Sequence, residues 1–172
     1  MRAIIPVAGV GSRLRPHTYT VPKVLLNVGG KPIVGHILDR LIENGFDEAT
    51  IVIGYLGEKI KEYVVRNYSI RVDFVEQEER LGLGHAIYLS RHTFSRDPIL
   101  IILGDTVYDV DLKALMNSDS SVLGQGGRGP TALRRCGNRG GIHHQVGRKA
   151  RSTEKQTGPG WYLLCPAAAY PG

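Results

Sequence analysis

The chain has 172 residues, of which 42% are hydrophobic and 22% charged, a balance typical of a globular protein with one core. No apolar run approaches the roughly 18 residues that span a bilayer, and the first residues lack the apolar stretch of a signal peptide, so we expect a cytoplasmic protein with no membrane partner. Two cysteines, Cys136 and Cys165, are too few for a disulfide framework or a metal cage.

The net charge of +6 belongs to residues 124–172. This segment holds eight of the 22 Lys and Arg residues and one of the 16 acidic residues, Glu154, whereas residues 1–123 are nearly neutral. It also contains half of the 22 glycines and no aspartate. Few aromatic residues lie between its charges, so it offers little stacking surface to bases, and we expect no nucleic-acid partner.

Strand-like apolar runs and helix-like periodicities alternate through residues 1–123. In chain order they predict a strand at 2–8, a helix at 32–45, a strand at 49–55, a helix at 57–68, a strand at 70–77, a helix at 84–94 and a strand at 98–105. This alternation predicts an α/β fold, a mostly parallel sheet with helices on both faces. Ligands of such folds bind at the carboxyl ends of the strands.

A loop rich in glycine and positive charge, GVGSRLRPHTYTVPK at residues 9–23, follows the first predicted strand. Gly9 and Gly11 allow the backbone to approach a ligand and to direct its amides at it, an arrangement suited to phosphate. Arg13 and Lys23 can add charge-assisted hydrogen bonds to phosphate oxygens. A glycine-rich turn with solvated charges is the alternative, and short glycine patterns alone do not decide between the two.

The longer string GVGSRLRPHTYTVPKVLLNVGGKPI, residues 9–33, resembles the signature of the sugar-1-phosphate nucleotidylyltransferases and meets every fixed position of it. Within that family the chain looks closest to the glucose-1-phosphate thymidylyltransferase-like enzymes. These enzymes transfer a nucleoside monophosphate from a nucleoside triphosphate to a sugar 1-phosphate and release pyrophosphate. The resemblance implies a Rossmann-like fold and this activity, with dTTP or UTP and glucose 1-phosphate as the favoured substrates.

The resemblance also implies roles for residues of the loop. Ala8, Gly9, Gly11 and Arg13 would hold the triphosphate, and Lys23 would bind phosphate near the reacting centre, so Arg13 and Lys23 are the implied catalytic residues. The reaction needs no protein nucleophile, because the sugar-phosphate oxygen attacks the α-phosphorus in line and pyrophosphate leaves. Catalysis would come from alignment and from stabilising the developing charge.

Residues 76–87, EQEERLGLGHAI, resemble the element that reads the nucleotide base in this family. The resemblance implies that Gln77 reads the base edge with its side-chain amide and Gly82 with its backbone. An ordinary turn between a strand and a helix is the alternative. His85, in the same stretch, falls in the predicted helix and is expected to be structural.

Residues 99–108, ILIILGDTVY, resemble the family's strand that ends in Gly-Asp. The resemblance implies that Asp105 is a ligand of Mg²⁺, the one implied cofactor. A hard divalent cation takes oxygen ligands and offsets the charge of the phosphates, so the chemistry suits an aspartate here. From the residues alone, Asp105 is equally a helix cap or a turn residue.

The resemblance stops at about Leu123, so we divide the chain into a nucleotide-binding part, residues 1–123, and a tail, residues 124–172. Few periodic apolar positions and many glycines predict that the tail is irregular or disordered. A change of reading frame would explain its composition. One base out of frame, the codons of residues 126–135 can spell EVEDPRRFGV, those of 145–151 KLVEKPE and those of 157–164 LALVGIYY, which resemble the elements that follow in the family.

Two hypotheses from different classes follow. In the first, the chain is a nucleotidylyltransferase with little activity, because the tail lacks the family's sugar-binding elements and a second metal-binding aspartate. In the second, it is a nucleotide-binding or regulatory module without turnover, and consumption of sugar 1-phosphate distinguishes the two. The expected partners are a nucleoside triphosphate, a sugar 1-phosphate and further copies of the chain in a homo-oligomer.

Overall fold

The computed structural model describes residues 1–94, 99–107 and 112, and three short strands at 121–123, 134–135 and 162–165. In chain order its strands and helices are β1 (Arg2–Pro6), β2 (Asn27–Val28), β3 (Lys31–Pro32), α1 (Ile33–Glu43), β4 (Glu48–Ile53), α2 (Gly57–Asn67), β5 (Arg71–Glu76), α3 (Leu83–Leu89), β6 (Ile99–Ile102), β7 (Ser121–Leu123), β8 (Arg134–Arg135) and β9 (Tyr162–Cys165). Single 3-10 turns lie at Ser12–Leu14, His17–Tyr19, Lys23–Leu25 and Ser90–Thr93.

The main sheet has seven strands in the order β5-β4-β1-β6-β9-β7-β8. The first four of these are parallel to one another, and β1 lies between β4 and β6. All seven elements predicted within residues 2–105 are present, and the predicted helix at 84–94 is α3 followed by a 3-10 turn. The predicted α/β fold with a mostly parallel core is confirmed.

The two faces of the sheet carry separate apolar layers, because successive side chains of a strand point to opposite faces. Ala3 and Ile5 of β1 pack in a cluster with α1 and α2, whereas Ile4 packs in a second cluster with α3. Burial of each large aliphatic side chain contributes about 1.5–3 kcal/mol. The central strand is therefore covered on both faces, as predicted. Among the described residues, no helix has the length and apolar character needed to cross a membrane.

Helix α1 ends where the sequence predicts a stop. Gly45 has a φ of +82°, and its N–H donates to the carbonyl of Ile42 at 2.9 Å. The N–H of Phe46 donates to the carbonyl of Leu41 at 3.0 Å, and Phe46 is buried. These bonds form a Schellman motif, which satisfies the last carbonyls of the helix and turns the chain into β4.

The amino ends of β1, β4 and β5 are joined by a buried arginine. The guanidinium of Arg2 contacts the carboxylates of Glu48, at 2.7 Å, and Asp73, and donates to the hydroxyl of Thr50 at 2.9 Å. Only 7% of the Arg2 side chain is exposed. Removing one partner of such a buried pair typically costs about 3–5 kcal/mol, so this contact stabilises the edge opposite the carboxyl ends.

The sheet also includes six residues of the tail, for which the sequence predicts irregular chain. Strand β9 pairs antiparallel with both β6 and β7, and β8 pairs with β7. The physical reason is the apolar run at Tyr162–Cys165, which can pair with the exposed edge of β6. The shifted codons also place a strand-forming run, GIYY, at residues 161–164. For the other tail residues, which lie outside the described part, an irregular chain stays a prediction.

A tyrosine hydroxyl ties α2 to α1. The hydroxyl of Tyr68, just after α2, lies 3.1 Å from the carbonyl oxygen of Gly35 and 3.2 Å from a carboxylate oxygen of Asp39. A Cβ at Gly35 would lie 2.8 Å from the hydroxyl of Tyr63, so a glycine is required there for close approach. Burial first, then the neighbouring Tyr63 and Asp39, raises the pKa of Tyr68 above its ordinary value of 10.0.

We predict that this hydroxyl makes stability fall in alkaline solution. Above pH 10 the tyrosine ionises in the unfolded chain while the folded chain keeps its proton, so the free energy of unfolding falls as pH rises. The loss attributable to Tyr68 should approach about 1.4 kcal/mol per pH unit and should be absent in Tyr68→Phe. Urea unfolding of both proteins between pH 8 and 11 measures it, and parallel pH profiles would contradict the assignment.

Candidate active site

The predicted site residues follow the carboxyl ends of the parallel strands. Ala8 and Gly9 follow β1, Gln77 follows β5, and Asp105 follows β6. The Nζ atom of Lys23, at the far end of the glycine-rich loop, lies 2.7 Å from Oδ2 of Asp105. The loop and Asp105 are therefore at the same edge of the sheet, as the position of the loop in the sequence predicts.

The loop at residues 9–23 folds back on itself around Gly11. Gly11 has a φ of +65°, and a Cβ there would lie 3.1 Å from both Cβ of Lys23 and Cγ2 of Thr18. The buried Thr18 donates its hydroxyl to the carbonyl of Gly11 at 2.9 Å. A Cβ at Gly9 would meet no described atom within 4 Å, so this position leaves space for a ligand near the backbone.

Two cations of the loop differ in their surroundings. Arg13 is exposed in the turn Ser12–Leu14, and among the described residues no carboxylate pairs with it. Lys23 pairs with Asp105, whose side chain is 50% exposed. An exposed pair of this kind contributes about 0–1 kcal/mol, so an incoming anion or cation can separate its members at little cost.

Strands β4 and β6 lie on either side of β1, and each is followed by a glycine. These glycines let the chain that leaves β1 pass between the ends of β4 and β6. A Cβ at Gly54, after β4, would lie 2.9 Å from the carbonyl oxygen of Ala8. A Cβ at Gly104, after β6, would lie 2.2 Å from Cγ1 of Val7 and 3.1 Å from the carbonyl oxygen of Pro6. No sequence pattern marks a packing role for either glycine, although both lie near the carboxyl ends of the predicted strands at 49–55 and 98–105.

The glycine-rich loop is also bonded to two side chains that come after β4 in the chain, Tyr55 and Lys59. The hydroxyl of Tyr55 donates to the carbonyl of Tyr19 at 3.0 Å, and Nζ of Lys59 donates to the carbonyl of Thr20 at 2.7 Å. The guanidinium of Arg15 stacks on the Tyr19 ring at 5.0 Å from its centroid. No sequence pattern marks Tyr55 or Lys59, because their partners are backbone carbonyls more than 30 positions away.

The predicted base-reading residues lie in contact. Gln77 donates its backbone N–H to the carbonyl of Ile53 at 2.8 Å, next to Gly54. Its side-chain Nε2 lies 3.1 Å from the carbonyl oxygen of Gly82 and 3.1 Å from Nδ1 of His85. Gly82, with a φ of +96°, directly precedes α3. These contacts connect the predicted base-reading element to the end of β4, and hence to Ala8.

Asp105 is the predicted metal ligand. Among the described residues, no group of three His, Cys, Asp or Glu side chains converges in a metal cage. Magnesium is commonly held by one or two carboxylates together with substrate phosphates and water. The exposed carboxylate of Asp105 beside the loop fits a metal of that kind, which would arrive with a phosphate ligand.

Comparison with known proteins shows the family. The model of the nucleotidyl transferase family matches residues 2–123. The chain belongs to the nucleotidyl transferase family. It is 36% identical over 122 residues to the bifunctional protein GlmU of Methanococcus maripaludis, a match that covers 71% of the chain and 29% of that relative. It is 34% identical over 113 residues to the UTP–glucose-1-phosphate uridylyltransferase AglF of Haloferax volcanii, covering 65% of the chain and 46% of AglF.

Solved structures of nucleotidyl transferases have the same fold. A Bacillus anthracis protein assigned as a glucose-1-phosphate thymidylyltransferase superposes with a TM-score of 0.63 at 25% identity, over 71% of the chain and 52% of that protein. A UDP-glucose pyrophosphorylase in complex with UDP-glucose gives a TM-score of 0.58 at 25% identity, over 67% of the chain and 51% of that protein. The chain thus spans about half or less of the length of these family members.

We predict that the close approach at Gly54 limits substitution there. Gly54→Ala should destabilise the protein by about 1–3 kcal/mol, because the new Cβ meets the backbone of Ala8, which cannot move aside by changing a rotamer. Gly84→Ala is the control: its Cβ would meet nothing within 4 Å, and alanine favours the helix. Thermal or urea unfolding measures both, and equal stability of the two variants would contradict the packing described.

Proposed function

We propose that this chain binds a nucleoside triphosphate, dTTP or UTP, and that its reaction is transfer of the nucleoside monophosphate to a sugar 1-phosphate, with glucose 1-phosphate favoured, and release of pyrophosphate. The observation that carries the proposal is the ion pair between Lys23 and Asp105, which lies beside Gly11 at the carboxyl edge of a parallel sheet. Membership of the nucleotidyl transferase family and the names of the similar proteins support it.

In the proposed mechanism, the glycine-rich loop positions the triphosphate and its two cations act on the phosphates. The backbone beside Gly9 and Gly11 approaches the phosphates closely, and Arg13 contributes a charge that no described carboxylate neutralises. Lys23 exchanges Asp105 for a phosphate oxygen near the attacked phosphorus and stabilises the charge that develops there. Asp105 would hold Mg²⁺, which, when bound, offsets negative charge on the phosphates. Each charge contact is worth about 3–4 kcal/mol in the transition state.

The reaction needs alignment rather than a nucleophilic side chain. The oxygen of the sugar 1-phosphate attacks the α-phosphorus in line, the bond to pyrophosphate breaks, and the displaced charge passes onto the leaving group. Tyr55 and Lys59 would contribute by holding the loop carbonyls in place. Nucleoside triphosphate substrates favour a cytoplasmic protein, and homo-oligomer formation stays a prediction.

A second candidate function is a nucleotide-binding module without turnover. The composition of residues 124–172 favours it, because the family's sugar-binding elements are visible there only in the shifted reading frame. The nucleotide part of the site does not depend on those elements. Nucleotide binding and sugar turnover are therefore tested separately.

For nucleotide binding, we expect Arg13→Ala and Lys23→Ala each to weaken the affinity for UTP or dTTP by about tenfold to a hundredfold, the usual effect of a hydrogen bond to a charged group. Titration calorimetry in the presence of Mg²⁺ measures it. Asp105→Asn should reduce the dependence of nucleotide binding on Mg²⁺. Lys61→Ala is the control, since Lys61 pairs with Glu58 on α2. Unchanged affinity in both loop variants would exclude the proposed phosphate contacts.

For turnover, pyrophosphate release from UTP or dTTP with glucose 1-phosphate should be absent or very slow with the 172-residue chain. A gene restored to the shifted frame near codon 124 should encode an active enzyme, because it regains the sugar-binding elements. The comparison separates the two candidate functions. Full activity of the 172-residue chain would show that the tail supplies a sugar site, and inactivity of the restored enzyme would remove the frame-change hypothesis.

A further inference from the structure

The side chain of Gln77 is buried at the carboxyl end of β5, with 6% of the residue exposed. Its Nε2 carries two hydrogens, and two acceptors lie at 3.1 Å from it, the carbonyl oxygen of Gly82 and Nδ1 of His85. A carbonyl can only accept. His85 accepts through Nδ1 when it is neutral with its proton on Nε2. The two acceptors together fix which end of the Gln77 amide faces inward.

The other end of this amide is left for a ligand. Among the described residues, no donor bonds Oε1 of Gln77, although the side chain is more than nine-tenths buried. Oε1 is not among the buried polar atoms that lack a partner, so it reaches the surface of the site, where a ligand that donates a hydrogen bond can replace water. Oε1 accepts but cannot donate, so the orientation of the amide decides which hydrogen-bonding group a ligand must present.

We propose that His85 is a positioning residue that determines base specificity, because it holds Gln77 with its oxygen toward the base. This rests on the proposed nucleotide binding. Uracil and thymine present an N–H donor at N3, in the middle of the edge that Gln77 faces, whereas cytosine presents an acceptor there. With the triphosphate held by the loop, the base cannot slide along this edge to another pairing. The amide held by His85 therefore accepts uracil and rejects cytosine.

The His85 contact is expected to matter more for discrimination than for folding. Gly82 alone leaves one of the two amide hydrogens without a partner, so the amide can turn and present Nε2 to the acceptor of cytosine. The contact is a neutral hydrogen bond, so its loss should reduce the ratio of UTP to CTP affinity about threefold to tenfold. A merely structural role would weaken both nucleotides alike and leave this ratio unchanged.

The test measures the dissociation constants of UTP and CTP by titration calorimetry with Mg²⁺, because these two nucleotides have the same size. It compares the 172-residue chain with His85→Ala, which removes the acceptor, and His85→Asn, which places an amide oxygen near the position of Nδ1. His92→Ala is the matched control, because His92 contacts the carbonyl of Leu89 in the turn after α3. Circular dichroism establishes that each variant is folded.

The expected result is a lower UTP to CTP ratio in His85→Ala, a ratio restored toward the unmodified value in His85→Asn, and no change in His92→Ala. An unchanged ratio in His85→Ala overturns the role of His85 and leaves nucleotide binding intact. A ratio that falls equally in His85→Asn and His85→Ala also overturns it, since the acceptor is then not the cause. Failure of the unmodified chain to bind either nucleotide overturns the proposed function and this inference with it.

Discussion

The site depends on a steric constraint: three parallel strands end side by side, and the chain that leaves the middle one must pass between the other two. Gly54 and Gly104 make this possible, since a Cβ at either position would meet the chain at residues 6–8. The glycine-rich loop then starts from a fixed point at Ala8. Asp105 follows Gly104 directly, and Gln77 is bonded to the residue before Gly54. One close approach thus sets the relative positions of the glycine-rich loop, Asp105 and the predicted base-reading element.

Ion pairs at the two edges of the sheet have different roles because they differ in burial. At the amino edge, Arg2 is nearly inaccessible to water and bonds two carboxylates and a hydroxyl. Its charge is therefore paired within the protein, and loss of a partner would destabilise the fold. At the carboxyl edge, Lys23 and Asp105 form one exposed contact, which water screens and a ligand can replace. The same kind of interaction is structural where water is excluded and exchangeable where water has access.

The sequence was sufficient for the order and type of the seven longer elements in residues 2–105, because each apolar run is long enough to show a period of 2 or 3.6. The two-residue strands β2 and β3 are too short to show either period and were not predicted. It also indicated that Lys23 and Asp105 lie at one edge, since the loop that contains Lys23 follows one predicted strand and Asp105 ends another. Contacts that join distant positions left no local pattern. Tyr55 and Lys59 bond backbone carbonyls of the loop, and His85 bonds an amide whose position depends on the turn at Gly82. Strand β9 was missed because its apolar run has only four residues and follows a glycine-rich stretch.

Strand β9 has a consequence for the behaviour of the protein in concentrated solution. Without it, the apolar strand β6 would present a row of unpaired backbone groups, and such an edge is a template for pairing with other molecules. Pairing with β9 transfers the free edge on this side of the sheet to β8, which is two residues long. An edge that short offers a poor template for pairing. The two described strands of the tail, β8 and β9, thereby limit the edge-to-edge pairing that leads to aggregation.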